Sequence, residues 1–170
     1  MEFLKLAADR YSCRMMTDRK VEQALLEKIL EAGRLAPTAV DRQPVKIWVM
    51  ESQEARDMVA QCTTCTFGAG TFLVVGGKQE EAWVRPFDGR NFADVDATIV
   101  ATHMMMEIQD LGLATTWVGW FDAPRLKTLC PQMEGYDLIA IFPVGYAAEE
   151  AAPAPRHNQR KSLEELAETL

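Results

Sequence analysis

Two segments rich in cationic side chains stand near opposite ends of the sequence, at residues 10–14 and 156–161. The first reads Arg-Tyr-Ser-Cys-Arg, and the second reads Arg-His-Asn-Gln-Arg-Lys. Guanidinium groups bind phosphate oxygens through paired hydrogen bonds, and a serine hydroxyl between two arginines adds a further donor. We therefore predict that these two basic segments converge on one phosphate-bearing ligand, either within one chain or across a dimer.

The composition is that of an ordinary folded protein. The 170 residues carry a net charge of -7, and 48% of them are hydrophobic and 25% charged. This balance excludes disorder over most of the chain and permits a sizeable core. Affinity for nucleic acid depends on many lysines and arginines, so an acidic chain is not expected to bind it.

The apolar segments are all much shorter than the roughly 20 residues that a membrane-spanning helix needs. The first residues also lack the apolar core of a secretory signal. We therefore expect a cytoplasmic protein with no membrane partner. Its four cysteines are expected to stay reduced there.

Two other groupings could carry chemistry. Cys62 and Cys65 have the spacing of a redox dithiol, but such a pair outside a thioredoxin-like βαβ unit is a weak indicator, so unreactive thiols are favoured. A thiol oxidoreductase built on this pair stays an alternative. His103 precedes three methionines on a predicted buried helix, and we interpret it as a packing residue. We predict no metal site.

Strands and helices alternate without regular βαβ units, which predicts an α/β or α+β sandwich of helices on a mixed sheet. Fourfold apolar spacing predicts a helix that is capped by Thr17 or Asp18 and ends at Ala36-Pro37. A buried strand is predicted at Thr71–Val75, and Gly76-Gly77 is predicted to break it. Further helices are predicted at residues 2–9, at 53–61 with a Ser52 cap, at 93–111 and from Asp122, and further strands at 45–50, 115–118 and 137–145.

The last part of the chain differs in kind. Residues 147–161 are rich in Ala, Glu and Pro, which predicts an extended arm. Ser162 and Glu165 form a capping box for a last short helix, whose leucines are spaced to pack against a surface. We predict that residues 1–170 form one domain, and that residues 147–170 are an arm lying on a partner subunit.

Five segments, in this order, resemble the nitroreductase family of FMN-dependent NAD(P)H oxidoreductases, of which the chain would be a short member. Residues 10–14 are similar to the family's Arg-x-Ser-x-Arg phosphate motif, and residues 36–44 to its Ala-Pro-Ser loop ending in Gln-Pro. Residues 96–113 resemble its long dimer helix, which ends in Leu-Gly-Leu. Residues 116–119 resemble the strand that follows, and residues 160–165 its C-terminal Arg-x-x-Leu-Glu-Glu.

The resemblance implies a nitroreductase-like α+β fold with a mainly antiparallel sheet. It also implies a homodimer that exchanges its C-terminal arms and binds two FMN molecules at the subunit interface. The basic segments would hold the phosphate and ribityl chain, the 37–43 loop would line one edge of the flavin ring, and residues 117–119 would approach the other side. The implied cofactor-binding residues are Arg10, Tyr11, Ser12, Arg14, Pro37, Thr38, Ala39, Asp41, Gln43, Trp117, Val118, Gly119, His157, Arg160 and Lys161.

The resemblance further implies that hydride passes from NADH or NADPH to flavin N5 and then to a small aromatic, quinone or nitro acceptor. No side chain is then assigned a catalytic role. The chain departs from the family pattern at Asp41, Val45 and Asn158, where asparagine, tryptophan and lysine are frequent. The charge of Asp41 would oppose the anionic reduced flavin, which predicts a lower potential. A non-catalytic protein that binds flavin or another phosphorylated ligand stays the other alternative.

Overall fold

The computed structural model describes residues 2–170 and contains a four-stranded sheet with the order β1-β2-β4-β3. All three pairs of neighbouring strands in this range are antiparallel. The predicted α+β class with a mainly antiparallel sheet is confirmed, and the sheet is antiparallel throughout the described range rather than mixed. The strands are Val45–Met50 (β1), Thr71–Gly77 (β2), Ala114–Thr115 (β3) and Asp137–Gly145 (β4).

Helices cover both faces of this sheet. No helix within residues 2–170 is long and apolar enough to cross a membrane. The helices are Phe3–Asp9 (α1), Gln23–Arg34 (α2), Gln53–Cys62 (α3), Ala93–Asp110 (α4), Ala123–Leu129 (α5) and Leu163–Leu166 (α6), with 3₁₀ turns at Ala39–Asp41 and Pro131–Met133.

Strand β2 supplies side chains to two cores, one on each face of the sheet. Leu73 and Val75 pack into a core that includes residues of α2 and α4. Phe72 and Val74 pack into a second core that includes residues of α3 and α5. Alternate residues of a strand point to opposite faces, so this continuous apolar strand is buried on both sides. The two cores hold the segments around the sheet in place.

Helix α2 begins later than the sequence predicted. Its first residue is Gln23, and neither Thr17 nor Asp18 caps it. The backbone N–H of Thr17 instead donates to the carbonyl oxygen of Tyr146 at 2.9 Å, just beyond the end of β4. The prediction of this cap was wrong because a tertiary contact keeps the segment extended.

The prediction that strand β2 stops at Val75 was also wrong. The strand includes Gly76 and Gly77, which pair with both β1 and β4, and it ends at Gly77. A Cβ atom at Gly77 would lie 2.5 Å from the carbonyl oxygen of Ala93, so a residue with no side chain allows α4 to start against the strand. The predicted strand at residues 115–118 is shorter than expected. Beyond Thr115 it keeps only an isolated bridge between Val118 and Ile141.

Several local signals were correct. The Ser52 hydroxyl accepts from the N–H of Ala55 at the start of α3. Ser162 and Glu165 form the predicted capping box of α6. These caps depend only on residues within one helical turn, which is why the sequence predicts them correctly.

Candidate functional site

The two basic segments meet within one chain. They line an open cleft of about 630 Å³. His157 connects them, because its Nε2 lies 3.1 Å from the carbonyl oxygen of Ala8 and its ring stands edge-on to Tyr11, 6.4 Å between centroids. Lys161 is exposed and does not line the cleft. The lining residues are Arg10, Tyr11, Ser12, Arg14, Ala154, Arg156, His157 and Arg160.

Backbone hydrogen bonds hold the N-terminal side of the cleft against the sheet. The N–H of Cys13 donates to the carbonyl oxygen of Thr115 in β3 at 3.0 Å. The N–H of Ala148 donates to the carbonyl oxygen of Met15 at 3.0 Å, so the first residues of the C-terminal arm run beside this segment. Cys13 is buried at 1% exposure, and its two neighbours line the cleft. The position of the basic side chains is therefore set by the sheet.

The cleft concentrates positive charge that the chain does not neutralise. None of its arginines forms an ion pair with a carboxylate in the part of the chain that is described. Arg14 donates to the carbonyl oxygen of Ser12 at 3.3 Å, and Arg160 donates to that of Gln159 at 2.9 Å. Partial burial and the nearby charge of Arg160 lower the pKa of Arg10. The positive charges of Arg10 and Arg160 repel each other, and this repulsion favours a bound anion.

The loop from Thr38 to Gln43 has an unusual backbone. Val40, Asp41 and Gln43 have positive φ angles of 45°, 55° and 50°, a region that non-glycine residues rarely occupy. Two hydrogen bonds within the loop offset this cost. The N–H of Gln43 donates to the Thr38 hydroxyl oxygen at 3.0 Å, and the Gln43 amide donates to Asp41 Oδ1 at 2.9 Å. The two polar side chains predicted to bind the flavin ring thus bind each other in this chain.

Asp96 ties this loop to helix α4. Its Oδ1 accepts from the backbone N–H of Ala39 at 2.8 Å, although it lies far away in the sequence. Asp96 is only 1% exposed, and its other oxygen has no hydrogen-bond partner among the described residues. It lies in the first turn of α4, where the helix dipole favours a negative charge. Asp96 therefore positions the loop.

The cleft and the loop lie at opposite ends of the sheet. The loop leads into Val45, which pairs with Gly77, and Gly77 pairs with Asp137 of β4. The cleft is fixed to Thr115, which pairs with Val144 at the other end of β4. Seven residues of strand separate these positions along β4, or roughly 23 Å. The structure therefore does not bring Pro37, Thr38, Ala39, Asp41 and Gln43 to the basic cleft of the same chain.

The segment that follows β3 reaches from the cleft towards the centre of the sheet. The ring of Trp117 is half-buried and stands edge-on to Phe142 at 5.1 Å. Val118 is buried, and both its backbone groups bind Ile141. Gly119 is exposed, and a Cβ atom there would have no neighbour within 4 Å. Gly119 is thus the most accessible of the three predicted contacts.

The thiol pair lies outside both regions. Cys62 is the last residue of α3 and is 7% exposed, and burial is the main cause that raises its pKa. Reactive thiols have a lowered pKa and favour the opposite, N-terminal end of a helix.

His103 is exposed rather than packed, so its interpretation as a packing residue was wrong. Its Nδ1 lies 2.9 Å from the carbonyl oxygen of Ile99.

Sequence reasoning did not assign roles to Arg156, Asp96 or Trp120. Arg156 lines the cleft, and its place in a basic segment was an available signal. Asp96 had only one signal, a carboxylate in the first turn of a mostly apolar helix. The sequence contains no signal for Trp120, because the exposure of an aromatic side chain depends on the tertiary fold.

Comparisons with known proteins identify the family of the chain. The model of the nitroreductase family matches residues 7–67 and 62–146, so the chain belongs to the nitroreductase family. A solved nitroreductase family protein from Clostridium difficile 630 is 36% identical, covers 100% of both chains and superposes with a TM-score of 0.92.

Two further proteins are similar over most of their length. One, from Archaeoglobus fulgidus, is named as a candidate NADH dehydrogenase/NAD(P)H nitroreductase. It is 26% identical over an alignment of 164 residues, and the match covers 88% of this chain and 87% of that protein. The other is a candidate nitroreductase from Desulfovibrio desulfuricans, solved in complex with FMN. It is 23% identical with a TM-score of 0.78, and the match covers 98% of this chain and 95% of that one.

Proposed function

We propose that the chain is a cytoplasmic, FMN-dependent oxidoreductase that uses NADH or NADPH to reduce a small aromatic, quinone or nitro acceptor. The observation that carries this proposal is the cleft of about 630 Å³ lined by Arg10, Arg14, Arg156 and Arg160, which have no carboxylate partners within residues 2–170. The FMN complex of the Desulfovibrio relative and the NAD(P)H in the name of the Archaeoglobus relative support it.

The residues of the cleft fit the phosphate of FMN. A phosphate monoester carries a charge of about -1.5 to -2 at neutral pH and accepts several hydrogen bonds. Arg10, Arg14 and Arg160 can supply charged donors, and Ser12 can supply a hydroxyl. The pKa of Arg10 is lowered by burial and, to a smaller extent, by the charge of Arg160, and the anion would relieve this repulsion. Lys161 would contribute only if the arm moved towards the cleft.

The flavin ring would lie towards Gly119. The chain runs from Thr115, which binds the N-terminal basic segment, to Gly119 in four residues, or at most roughly 14 Å. That span suits a ribityl phosphate anchored at one end and a ring at the other. The open space beside Gly119 accepts a flat ring. When bound, FMN supplies the transfer of electrons between nicotinamide and acceptor.

We infer a homodimer because one chain contains only part of this site. The Thr38–Gln43 loop lies at the far end of the sheet, so the loop beside the ring would come from the second copy. The arm is consistent with such an exchange, since Leu163 and Leu166 of α6 are 80% and 74% exposed. Asp41 of that loop would place a negative charge near the ring, which disfavours the reduced anion and lowers its potential.

The first test is the absorption spectrum of the protein as purified, followed by Arg14→Ala. We expect a yellow protein that bleaches with NADH or NADPH. Replacing Arg14 should remove a charge-assisted contact of about 1.5 to 3 kcal/mol and weaken FMN binding roughly tenfold or more. Lys28→Ala, an exposed change on α2, is the matched control and should bind FMN normally. An unchanged FMN affinity in Arg14→Ala would contradict the proposal.

A further inference from the structure

Trp120 differs from the other three tryptophans of the chain. It is 81% exposed, whereas Trp48, Trp83 and Trp117 are half-buried. Each of those three packs edge-on against another aromatic ring, with centroids 5.0, 5.0 and 5.1 Å apart. An indole brings a large apolar surface and a ring face that prefers to stack. The face of Trp120 is left open to solvent.

The backbone at Trp120 is nevertheless held firmly. Its carbonyl oxygen accepts from the hydroxyl of Thr63 at 2.6 Å, and Thr63 itself is 7% exposed. Two residues on, the N–H of Asp122 donates to the carbonyl oxygen of Cys62 at 2.9 Å. The Asp122 side chain then caps α5 by accepting from the N–H of Arg125. A ring presented from a fixed backbone loses little entropy when it binds a ligand.

Trp120 also lines a cleft that suits a small ring. The cleft has a volume of about 350 Å³, near the lower end of the range of roughly 300 to 1,000 Å³ for small-molecule sites. A Cβ atom at Gly119 would meet no atom within 4 Å other than those of its chain neighbours, so Gly119 leaves this part of the cleft open. The carboxylate of Asp122 is the charged group in the wall, so an uncharged ring, or one carrying positive charge, is favoured over an anionic ring. The lining residues are Cys62, Gly119, Trp120, Phe121 and Asp122.

This cleft adjoins the proposed flavin ring, because Gly119 belongs to both. A ring stacked on Trp120 would therefore lie beside the flavin and away from the phosphate anchor. We propose that Trp120 is a stacking surface for the planar aromatic ring of a reactant, either the acceptor or the nicotinamide. The proposal rests on the proposed function, and it makes Trp120 a specificity-determining residue.

The test compares Trp120→Leu with Trp120→Phe in the FMN-loaded protein, using isothermal titration calorimetry. The probes are 4-nitrobenzyl alcohol, an uncharged nitroaromatic, and oxidised NAD. Leucine keeps an apolar side chain but removes the ring, so we expect roughly tenfold weaker binding of the probe that stacks. Phenylalanine keeps a ring and should stay within about threefold of the original protein. Weakening of 4-nitrobenzyl alcohol assigns the surface to the acceptor, and weakening of NAD assigns it to the nicotinamide.

FMN affinity and oligomeric state are measured on the same proteins, with Trp83→Leu as the control tryptophan outside the cleft. We expect FMN affinity and sedimentation of Trp120→Leu to match those of the original protein. If both probes bind Trp120→Leu as well as the original protein, or neither binds the original, the proposal is overturned. It is also overturned if Trp120→Leu loses FMN affinity or changes its oligomeric state. Failure of the original protein to bind FMN would instead contradict the proposed function.

Discussion

The basic cleft and the Thr38–Gln43 loop, at opposite ends of one sheet, use their polar groups in different ways. In the cleft, burial and the nearby charge of Arg160 together lower the pKa of Arg10. In the loop, the N–H of Gln43 donates to the Thr38 hydroxyl oxygen, and the Asp96 carboxylate accepts from the N–H of Ala39. The arginines of the cleft have no carboxylate partner in the described part of the chain, whereas the loop uses its donors and acceptors to hold a backbone of positive φ.

The difference indicates which property each end controls. Like charges without partners do not stabilise the folded chain. Their interaction becomes favourable when an anion binds to them. Hydrogen bonds that hold a sparsely populated backbone contribute to folding before any ligand arrives. Substitutions in the cleft should therefore change binding more than stability. Substitutions around the loop should change stability more than binding.

The largest effect is expected for the double variant Arg10→Ala/Arg160→Ala. Losing two charge-assisted contacts should weaken FMN binding roughly a hundredfold or more. The FMN-free protein should unfold at the same urea concentration as the original protein or a higher one, because the repulsion between the two arginines is removed. Fluorescence titration with FMN and urea unfolding measure the two quantities. A clear loss of stability of the FMN-free double variant would contradict the different roles assigned to the cleft and the loop.

A moderate loss of stability is expected for Asp96→Ala. It leaves the partly buried N–H of Ala39 without its acceptor, which costs about 1 to 3 kcal/mol of the free energy of unfolding. Asp96→Asn retains an acceptor oxygen and should recover part of that loss. Urea unfolding of the FMN-free proteins measures both. Equal stability of Asp96→Ala and the original protein would show that Asp96 does not hold the loop.

A smaller, pH-dependent effect on stability is expected for Glu22, which lies beside the start of the C-terminal arm. Glu22 accepts hydrogen bonds from Tyr146 and Arg19, and its pKa falls from an ordinary 4.5 to about 2. Because the folded pKa is the lower one, its contribution to stability is present above pH 4.5 and is lost as the pH falls towards 2. Glu22→Gln should be less stable at pH 6, and its difference from the original protein should shrink at pH 4 and 3. A difference independent of pH would contradict this assignment.

The smallest effect is expected for Cys65→Ala, which breaks the dithiol and leaves Cys62 in the wall of the Trp120 cleft. Cys65 lies outside the basic cleft, the Trp120 cleft and the loop, and burial raises the pKa of Cys62. The rate of NAD(P)H oxidation with a nitro acceptor should stay within about twofold of the original rate. Loss of the activity in a folded, FMN-loaded variant would favour the thiol oxidoreductase alternative.

Elements that depend on neighbouring residues were predictable. The sequence predicted β1 and β4 with the bounds that are observed, because apolar runs between turn residues define a buried strand. It also predicted the cap of α3 at Ser52. Predictions failed where a distant group intervened, as with Tyr146 at Thr17 and Ala93 at Gly77.

By itself the sequence determined the family, the α+β class and the two basic segments, since motif order and hydrophobic periodicity are properties of the chain. Only the tertiary structure decided that these segments form their cleft within one chain and that the Thr38–Gln43 loop lies at the far end of the sheet. It also decided that Asp96 is buried and Trp120 exposed. Burial and proximity between distant residues follow from strand pairing and helix packing, and local sequence signals do not encode them.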